Sequence, residues 1–355
     1  MMKLIYAVML TSTLVGCNGG SSDSDSASPS NINNSSSGLP QDGNITNYNF
    51  TSLSGDCLDY IGSLTSSVSD IQRSLAFNGS VSISSAGNKC VIESNHIPNH
   101  DFNDQSASFA TNVSEQDSDY EITANPSFAT STTALSMAIS EGVFLNGVNV
   151  DMLAAACYAV GSEPLGREKI GCGQSEINNP WRYDPMSSLN GFGTDQHNAH
   201  VQPTGKYHYH GNPVAMFVQN CAGGSASPVI GFAADGFPIY GSCFDDNGTV
   251  RKATPSYRLK SGTRQAVSGY TTPVSGQGVV ASANYDGQFR GDYEYVSGLG
   301  DLDECNGMTV NGQYGYYITD SFPWVLNCFK GTVDNSFSLS GLSRAHSHDG
   351  EYHTH

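Results

Sequence analysis

The sequence predicts a mainly β fold, stabilised by disulfides, with one or a few short helices and long loops. Its 355 residues include 39 glycines and 18 tyrosines but only 15 lysines and arginines, a composition typical of short strands joined by many turns. Two segments, GSVSISS (79–85) and KCVIES (89–94), alternate apolar and polar residues as strands do. Of the nine cysteines, all but one are scattered between positions 57 and 328, which favours several disulfides.

Two further elements can be placed along the chain. The segment GFAADGFPIYG (231–241) is typical of two short strands around an Asp-Gly turn. One helix is expected to begin near Asn149, whose side chain can cap the run VDMLAAACYA (150–159). That run is rich in good helix formers and has Asp151 in its first turn, where a negative charge is favourable.

The N-terminus is similar to that of a bacterial lipoprotein. Lys3 precedes a short apolar run, LIYAVMLTSTLVG (4–16), which is too short to span a bilayer as a stable helix and is typical of a secretory signal. The run leads into LVGC, which resembles a lipobox, so Cys17 is the predicted lipidation site. An ordinary signal peptide followed by an incidental cysteine is the alternative. The lipobox interpretation predicts an extracytoplasmic protein, in the periplasm or on the cell surface, that is anchored to a membrane through its lipid.

Composition divides the chain into four regions. Residues 1–16 are the predicted signal peptide, and residues 17–49 are a predicted disordered tether, since serine, asparagine and glycine dominate them. The stretch 50–333 contains no second low-complexity linker and is predicted to form one domain. Residues 334–355 turn polar again and are predicted to be a disordered, histidine-rich tail.

The cysteines predict four disulfides. Assigning Cys17 to lipid leaves an even number of thiols, which can pair completely in an oxidising compartment. They do not form C-x-x-C pairs, so a zinc ribbon is not favoured. Pairing each cysteine with its neighbour along the chain predicts the bonds Cys57–Cys90, Cys157–Cys172, Cys221–Cys243 and Cys305–Cys328.

The charge and the missing motifs argue against several function classes. A net charge of −18 without a basic patch argues against nucleic acid as a partner, because phosphate backbones are bound by clustered lysine and arginine. The chain also lacks the local signatures of serine hydrolases, zincins, P-loop proteins and dinucleotide-binding proteins.

Four of the ten histidines fall within fourteen residues, in GTDQHNAHVQPTGKYHYHG (193–211). On an extended strand His208 and His210 project to one face and the neighbouring tyrosines to the other. The stretch QPTGK is typical of a turn, so a hairpin can fold His200 back onto the histidine face. Three neutral imidazoles are suitable ligands for zinc or copper, which makes one of these metals the expected cofactor.

Asp195 lies just ahead of this cluster and is a candidate for the fourth ligand. It can instead accept a hydrogen bond from one imidazole and orient it. The alternative for the whole cluster is a set of hydrogen-bonded histidines without metal.

The histidine segment also resembles the YHYH-domain family, which is found mostly in bacterial secreted proteins. The resemblance rests on DQHNAHVQPTGKYHYHG, on GFAADGFPIYG and on LDECNG followed by YGYYITDSFPWVLNCFKG. In addition, CVIESNHIPNHDF is similar to a more N-terminal SNGIPNH element of the family. The resemblance runs from about Cys90 to Gly331 and implies no particular activity.

The resemblance adds three candidate residues. His100 lies on the PNH element and is a further candidate metal ligand, whereas His197 has no counterpart in the histidine motif. Asp235, on DGFPIYG, and Glu304, on LDECNG, are candidates for a general base if the site is catalytic. A turn at Asp235 and a structural loop at Glu304 are the alternatives.

The C-terminal HSHDGEYHTH (346–355) holds two H-x-H pairs. Such short tracts can bind copper, nickel or zinc with little geometric selectivity, and a solvated tail with incidental histidines is the alternative. The accessory metal candidates are His346, His348, His353 and His355.

Three functions remain open at this point. The first is an extracytoplasmic, lipid-anchored protein that binds copper or zinc through the histidine cluster. The second is a metalloenzyme, a hydrolase or an oxidoreductase, that uses the same site with an open position for water. The third is a surface adhesion or glycan-binding module whose histidines and tyrosines form a polar, aromatic pocket.

Overall fold

A computed structural model describes residues 38–339 of the chain. Within this range the protein contains eighteen strands and five short 3-10 helices, and no α-helix. The predicted fold class is therefore confirmed: the protein is mainly β, with short helices and long loops. None of the described helices is long and apolar enough to cross a membrane.

The strands are short and are spread over the whole described chain. In chain order they are β1 Gly62–Asp70, β2 Leu75–Ala86, β3 Lys89–Ser94, β4 Ser118–Thr123, β5 Thr133–Ala134, β6 Gly142–Phe144, β7 Asn149–Val150, β8 Ala199–Val201, β9 Tyr207–Tyr209, β10 Val229–Ala233, β11 Pro238–Tyr240, β12 Cys243–Asp246, β13 Thr249–Lys252, β14 Tyr257–Leu259, β15 Tyr293–Tyr295, β16 Gly307–Val310, β17 Gln313–Tyr317 and β18 Cys328–Phe329. The 3-10 helices are Cys57–Tyr60, Gln174–Glu176, Cys221–Gly223, Arg290–Asp292 and Asn335–Phe337.

Strands β1 to β4 form an antiparallel sheet in sequence order. The two segments that alternate in the sequence lie in β2 and β3, as predicted. Alternate residues of β2 such as Val81 and Ile83 are buried, because successive side chains of a strand point to opposite faces.

A second sheet has eight strands in the order β16-β17-β11-β10-β6-β7-β9-β8. The β10–β11 hairpin forms around the predicted Asp-Gly turn, with Gly236 at φ +88°, a conformation that favours glycine. The pairs β11–β17 and β7–β9 are parallel and the others antiparallel. The edge of this sheet, β6-β7-β9-β8, joins chain segments that are up to 67 residues apart in sequence and carries the histidines.

Apolar residues of both sheets belong to one contiguous buried cluster, which includes Leu64, Ile92, Val143 and Ile239. Four disulfides crosslink the described chain, and each one joins the pair of cysteines that the sequence predicts. In a turn-rich chain these crosslinks stabilise the fold mainly by restricting the unfolded state.

The predicted helix at 149–159 is wrong. Asn149 and Val150 form strand β7 instead, and the Asn149 side chain donates a hydrogen bond to Ser140 rather than capping a helix. Val150 pairs with Tyr209 of β9, and further along the segment Cys157 is bonded to Cys172. Pairing on both sides of β7 outweighs the local helix propensity, which is a weak effect.

Folded structure extends beyond the predicted domain 50–333 at its N-terminal side. Residues 38–49, which composition assigns to the tether, contact the four-stranded sheet: the Ile45 amide donates to the Thr65 carbonyl at 2.8 Å. The Ile45 side chain is buried, so this segment contributes apolar contacts that its polar composition conceals.

The C-terminal side is also longer than predicted. Asp334 caps the last 3-10 helix and forms an ion pair with Lys89 at 2.6 Å. Phe337 is buried against the ring of Tyr120. The signal peptide, the lipidation site Cys17 and the four tail histidines lie outside the described residues and stay predictions.

Candidate metal centre

The histidine hairpin forms as the sequence predicts. Strands β8 and β9 pair antiparallel, with His200 directly opposite His208. The connecting turn includes Gly205 at φ +85°, where a side chain would also clash with Ser114. The turn thus requires a glycine, and it brings His200 onto the face of β9 that carries His208 and His210.

The three imidazoles converge on one point. Their ring centroids are 4.6 to 4.7 Å apart, and one nitrogen from each ring lies within 4.8 Å of the others. The Nε2 atoms of His200 and His210 are 2.9 Å apart. Tetrahedral zinc with Zn–N bonds of about 2.0 Å requires nitrogens roughly 3.3 Å apart, so the cluster has the right dimensions.

Backbone carbonyls orient all three rings. Nδ1–H of His200 donates to the Phe192 carbonyl at 2.9 Å, and that of His208 donates to the Lys206 carbonyl at 3.2 Å. Nδ1–H of His210 donates to the Asp151 carbonyl. A carbonyl oxygen can only accept, so each Nδ1 carries the hydrogen and each Nε2 presents a lone pair to the shared point.

Burial keeps these rings neutral. Desolvation lowers the pKa of His200, and it lowers the pKa values of His208 and His210 well below the usual histidine range. The neighbouring imidazoles lower the last two further. The result is three unprotonated lone pairs directed at one another, an arrangement that a shared cation relieves.

Asp195 and His100 do not join this cluster, contrary to the expectation from sequence. Asp195 accepts a hydrogen bond from the Tyr207 hydroxyl at 2.8 Å, and burial raises its pKa to about 6. His100 accepts one from the Tyr209 hydroxyl at 2.5 Å. Both tyrosines lie on the opposite face of β9, because adjacent side chains of a strand alternate.

His197, which has no counterpart in the family's histidine motif, lies away from the cluster. Its ring stacks on that of His100, with centroids 3.7 Å apart, away from the converging histidines. Among residues 38–339, the only group of three or more histidine, cysteine or acidic side chains with metal-ligand spacing is His200, His208 and His210.

The two predicted general bases lie elsewhere and have structural partners. Asp235 accepts from the Tyr316 hydroxyl at 2.7 Å and from the Gly331 amide at 2.8 Å, which anchors the turn between β10 and β11. Glu304 forms an ion pair with Lys330 at 2.7 Å. Neither one lines the cavity beside the histidines, so the structural alternatives are the better interpretation of both.

A cavity of about 560 Å³ borders the histidine cluster. It is within the size range of small-molecule sites, and most of its wall is apolar. Its apolar lining includes Phe109, Ile139, Leu153, Ile170 and Phe192, and its polar lining includes the three histidines, Glu141, Asp151, Lys169 and Gln202.

Glu141 and Asp151 are the acidic residues of this cavity that sequence reasoning missed as site residues. Continuing the β6–β7 and β7–β9 registers by one residue aligns Glu141, Asp151 and His210 in a row on one face of the sheet. With strands about 4.8 Å apart, the Asp151 and Glu141 backbones lie about 5 and 10 Å from that of His210.

Both carboxyl groups are held in place. The Met152 amide donates to Glu141 Oε2 at 2.9 Å, and Gln202 donates to Asp151 Oδ2 at 2.6 Å. Burial raises the pKa of each, and repulsion from Asp151 raises that of Glu141 further. No local motif marks these residues, since only the strand order brings positions 141 and 151 beside position 210.

A family model described as YHYH protein matches residues 119–331. This range includes the β8–β9 and β10–β11 hairpins and the whole histidine cluster. No curated protein and no solved structure matches the chain significantly. The matched range is more than half of the chain and agrees with the motifs that carry the resemblance, so the chain belongs to the YHYH protein family.

Proposed function

We propose that this protein is an extracytoplasmic, lipid-anchored metal-binding protein that holds one copper or zinc ion on His200, His208 and His210. The observation that carries the proposal is the hydrogen bond between each Nδ1 and a backbone carbonyl, from which the tautomer of the three rings follows. Each Nδ1–H donates to a backbone carbonyl, so the Nε2 lone pairs converge without a proton between them. Histidine ligands of metals are commonly oriented by such hydrogen bonds.

The donor set supports zinc or copper over other ions. Calcium and magnesium prefer oxygen ligands, whereas imidazole suits zinc and copper, and the general order of affinity places Cu(II) highest among the first-row divalent ions. The lipid anchor at Cys17 and the accessory role of the tail histidines remain part of the proposal and rest on the sequence.

Metal content tests the proposal. The background is the full chain with the four tail histidines replaced by asparagine, purified without metal-affinity resin and equilibrated with zinc or copper. We expect about one ion per chain, and we expect the His208→Ala, His210→Ala double variant to lose it. His197→Ala is the matched control, because His197 belongs to the same hairpin segment but stacks on the other side of β9.

Stability provides a second measurement on the same proteins. Metal at about 100 times its Kd is expected to raise the free energy of unfolding by about 2.7 kcal/mol in the background protein and in the His197→Ala control. The double variant should show no such increase. Equal metal content in the background protein and the folded double variant contradicts the proposal.

A further inference from the structure

The histidine cluster provides three ligands and leaves a fourth position open. Among the described residues no cysteine, aspartate, glutamate or further histidine lies close enough to complete the set. All three ligands line the cavity of about 560 Å³. Structural zinc sites are closed by four protein ligands, whereas catalytic sites keep one position for water or substrate.

A buried carboxyl group is available on the same wall. Glu141 lies in the row with Asp151 and His210, and its side chain is 1 % exposed although it lines the cavity. The Met152 amide donates a hydrogen bond to its Oε2 atom at 2.9 Å, which holds the carboxyl group in place. A fixed carboxyl group that lines the same cavity as the three converging imidazoles can accept a proton from a water molecule in that cavity, which is the role of a general base.

The rest of the wall indicates what kind of molecule fits. Phe109, Leu153, Ile170 and Phe192 present apolar surface, and Lys169 is the one lysine or arginine of the lining, with Nζ 4.4 Å from the centre of the Phe192 ring. Such a wall suits an uncharged molecule with an apolar body and one polar reacting group.

We propose that this cavity is the active site of a metal-dependent hydrolase for carboxylic esters with an apolar acyl group, in which Glu141 is the general base. The inference rests on the metal site proposed above. Glu141 is not a ligand in it, so the two proposals can fail separately.

The reaction balances without any further reactant. A water molecule in the cavity gives a proton to the Glu141 carboxylate, and its oxygen forms a bond to the ester carbonyl carbon. The carbonyl π electrons move to the carbonyl oxygen, and a metal held by His200, His208 and His210 would supply the positive charge that stabilises them. When the C=O bond re-forms, the ester C–O bond breaks and the leaving oxygen takes the proton from Glu141, which gives an acid and an alcohol.

The test is the rate at which zinc-loaded full-length protein hydrolyses p-nitrophenyl acetate and p-nitrophenyl octanoate. We expect hydrolysis that requires zinc and a higher kcat/KM for the octanoate, because the apolar wall binds the longer acyl chain. Glu141→Gln, which keeps the shape and the acceptor for the Met152 amide, should retain zinc and lower kcat by about 100- to 10,000-fold. Glu304→Gln is the control, since Glu304 lies outside the cavity, and should not change the rate.

Two results overturn the hydrolase alone: zinc bound at one ion per chain with no hydrolysis above the metal-free protein, or a zinc-loaded Glu141→Gln variant as active as the wild type. A wild type that binds no zinc overturns the metal site and the hydrolase together. If Glu141→Gln does not fold, inhibition of hydrolysis by the wild type tests the inference instead. Octanohydroxamate should then inhibit more strongly than acetohydroxamate, and equal or absent inhibition overturns the inference.

Discussion

The alternating Tyr-His segment of strand β9 places histidines on one face and tyrosines on the other, and the two faces differ in how their polar atoms are paired. On one face, His208 and His210 meet His200 with three Nε2 lone pairs directed at one point beside a cavity. On the other face, the polar atoms of Tyr207 and Tyr209 are paired within the protein. Below we call these the histidine face and the tyrosine face.

The difference between the faces lies in hydrogen-bond pairing, since both are buried. The Tyr209 hydroxyl accepts from Asn146 at 3.0 Å and donates to His100, and that of Tyr207 donates to Asp195. Such a satisfied network specifies a core. The histidine face instead leaves acceptors without donors, which buried polar groups seldom tolerate unless a ligand completes them. A repeated motif can therefore contribute structure on one side and a candidate site on the other.

The largest expected effect comes from removing a ring of the tyrosine face. Tyr209 is fully buried and packs against Phe144, with ring centroids 5.3 Å apart. Tyr209→Ala should lower the free energy of unfolding by about 3 to 5 kcal/mol, as for other large-to-small core substitutions. Urea unfolding of the metal-free protein measures it. A loss below about 1 kcal/mol would show that this face does not belong to the core.

A smaller effect, on pH dependence, tests the burial of His100 on the tyrosine face. Burial lowers the pKa of His100, on the tyrosine face, to about 3. As pH falls below about 6.5, the unfolded chain takes up a proton that folded His100 does not, so this residue reduces stability by about 1.4 kcal/mol per pH unit down to its folded pKa. His100→Gln should remove that part of the slope.

Urea unfolding of both proteins at pH 7, 6 and 5 in excess chelator measures the two slopes. Only the slope is compared, because the substitution also changes stability at neutral pH through lost contacts. Identical slopes would mean that folded His100 binds its proton as readily as the unfolded chain does.

The smallest effect tests whether the faces are independent. Tyr207→Phe removes the hydroxyl that donates to Asp195 and keeps the ring, so stability should fall by about 1 kcal/mol. The number of zinc ions per chain should stay the same, because none of the three ligands contacts that hydroxyl. Loss of zinc by the folded variant would contradict the separation of the two faces.

Local sequence rules predicted much of this molecule because the relevant interactions are short in range. The β8–β9 hairpin follows from an alternating YHYH segment and from a turn that contains Gly205, so the convergence of His200, His208 and His210 was readable from one stretch of nineteen residues. The four disulfides were predictable because each one joins cysteines that are neighbours along the chain, with separations of 15 to 33 residues.

Interactions that are distant in sequence account for the errors. Asp195 and His100 were assigned to the metal by proximity and by motif, but side-chain alternation places their partners on the tyrosine face. The segment after Asn149 has helix formers, yet pairing with β6 and β9 makes its start a strand. Local propensity amounts to tenths of a kcal/mol per residue and yields to such pairing.

The sequence by itself thus determined the class of the fold, the disulfide pairs and the three converging histidines, because turn chemistry, strand alternation and cysteine order act over short stretches. Only the tertiary structure decided which acidic residues accompany the histidines. The strand order β6-β7-β9 aligns Glu141 and Asp151 with His210 across 59 to 69 residues of chain, and all three residues line the same cavity. Burial and strand order are properties of the whole packed chain, and no single segment encodes them.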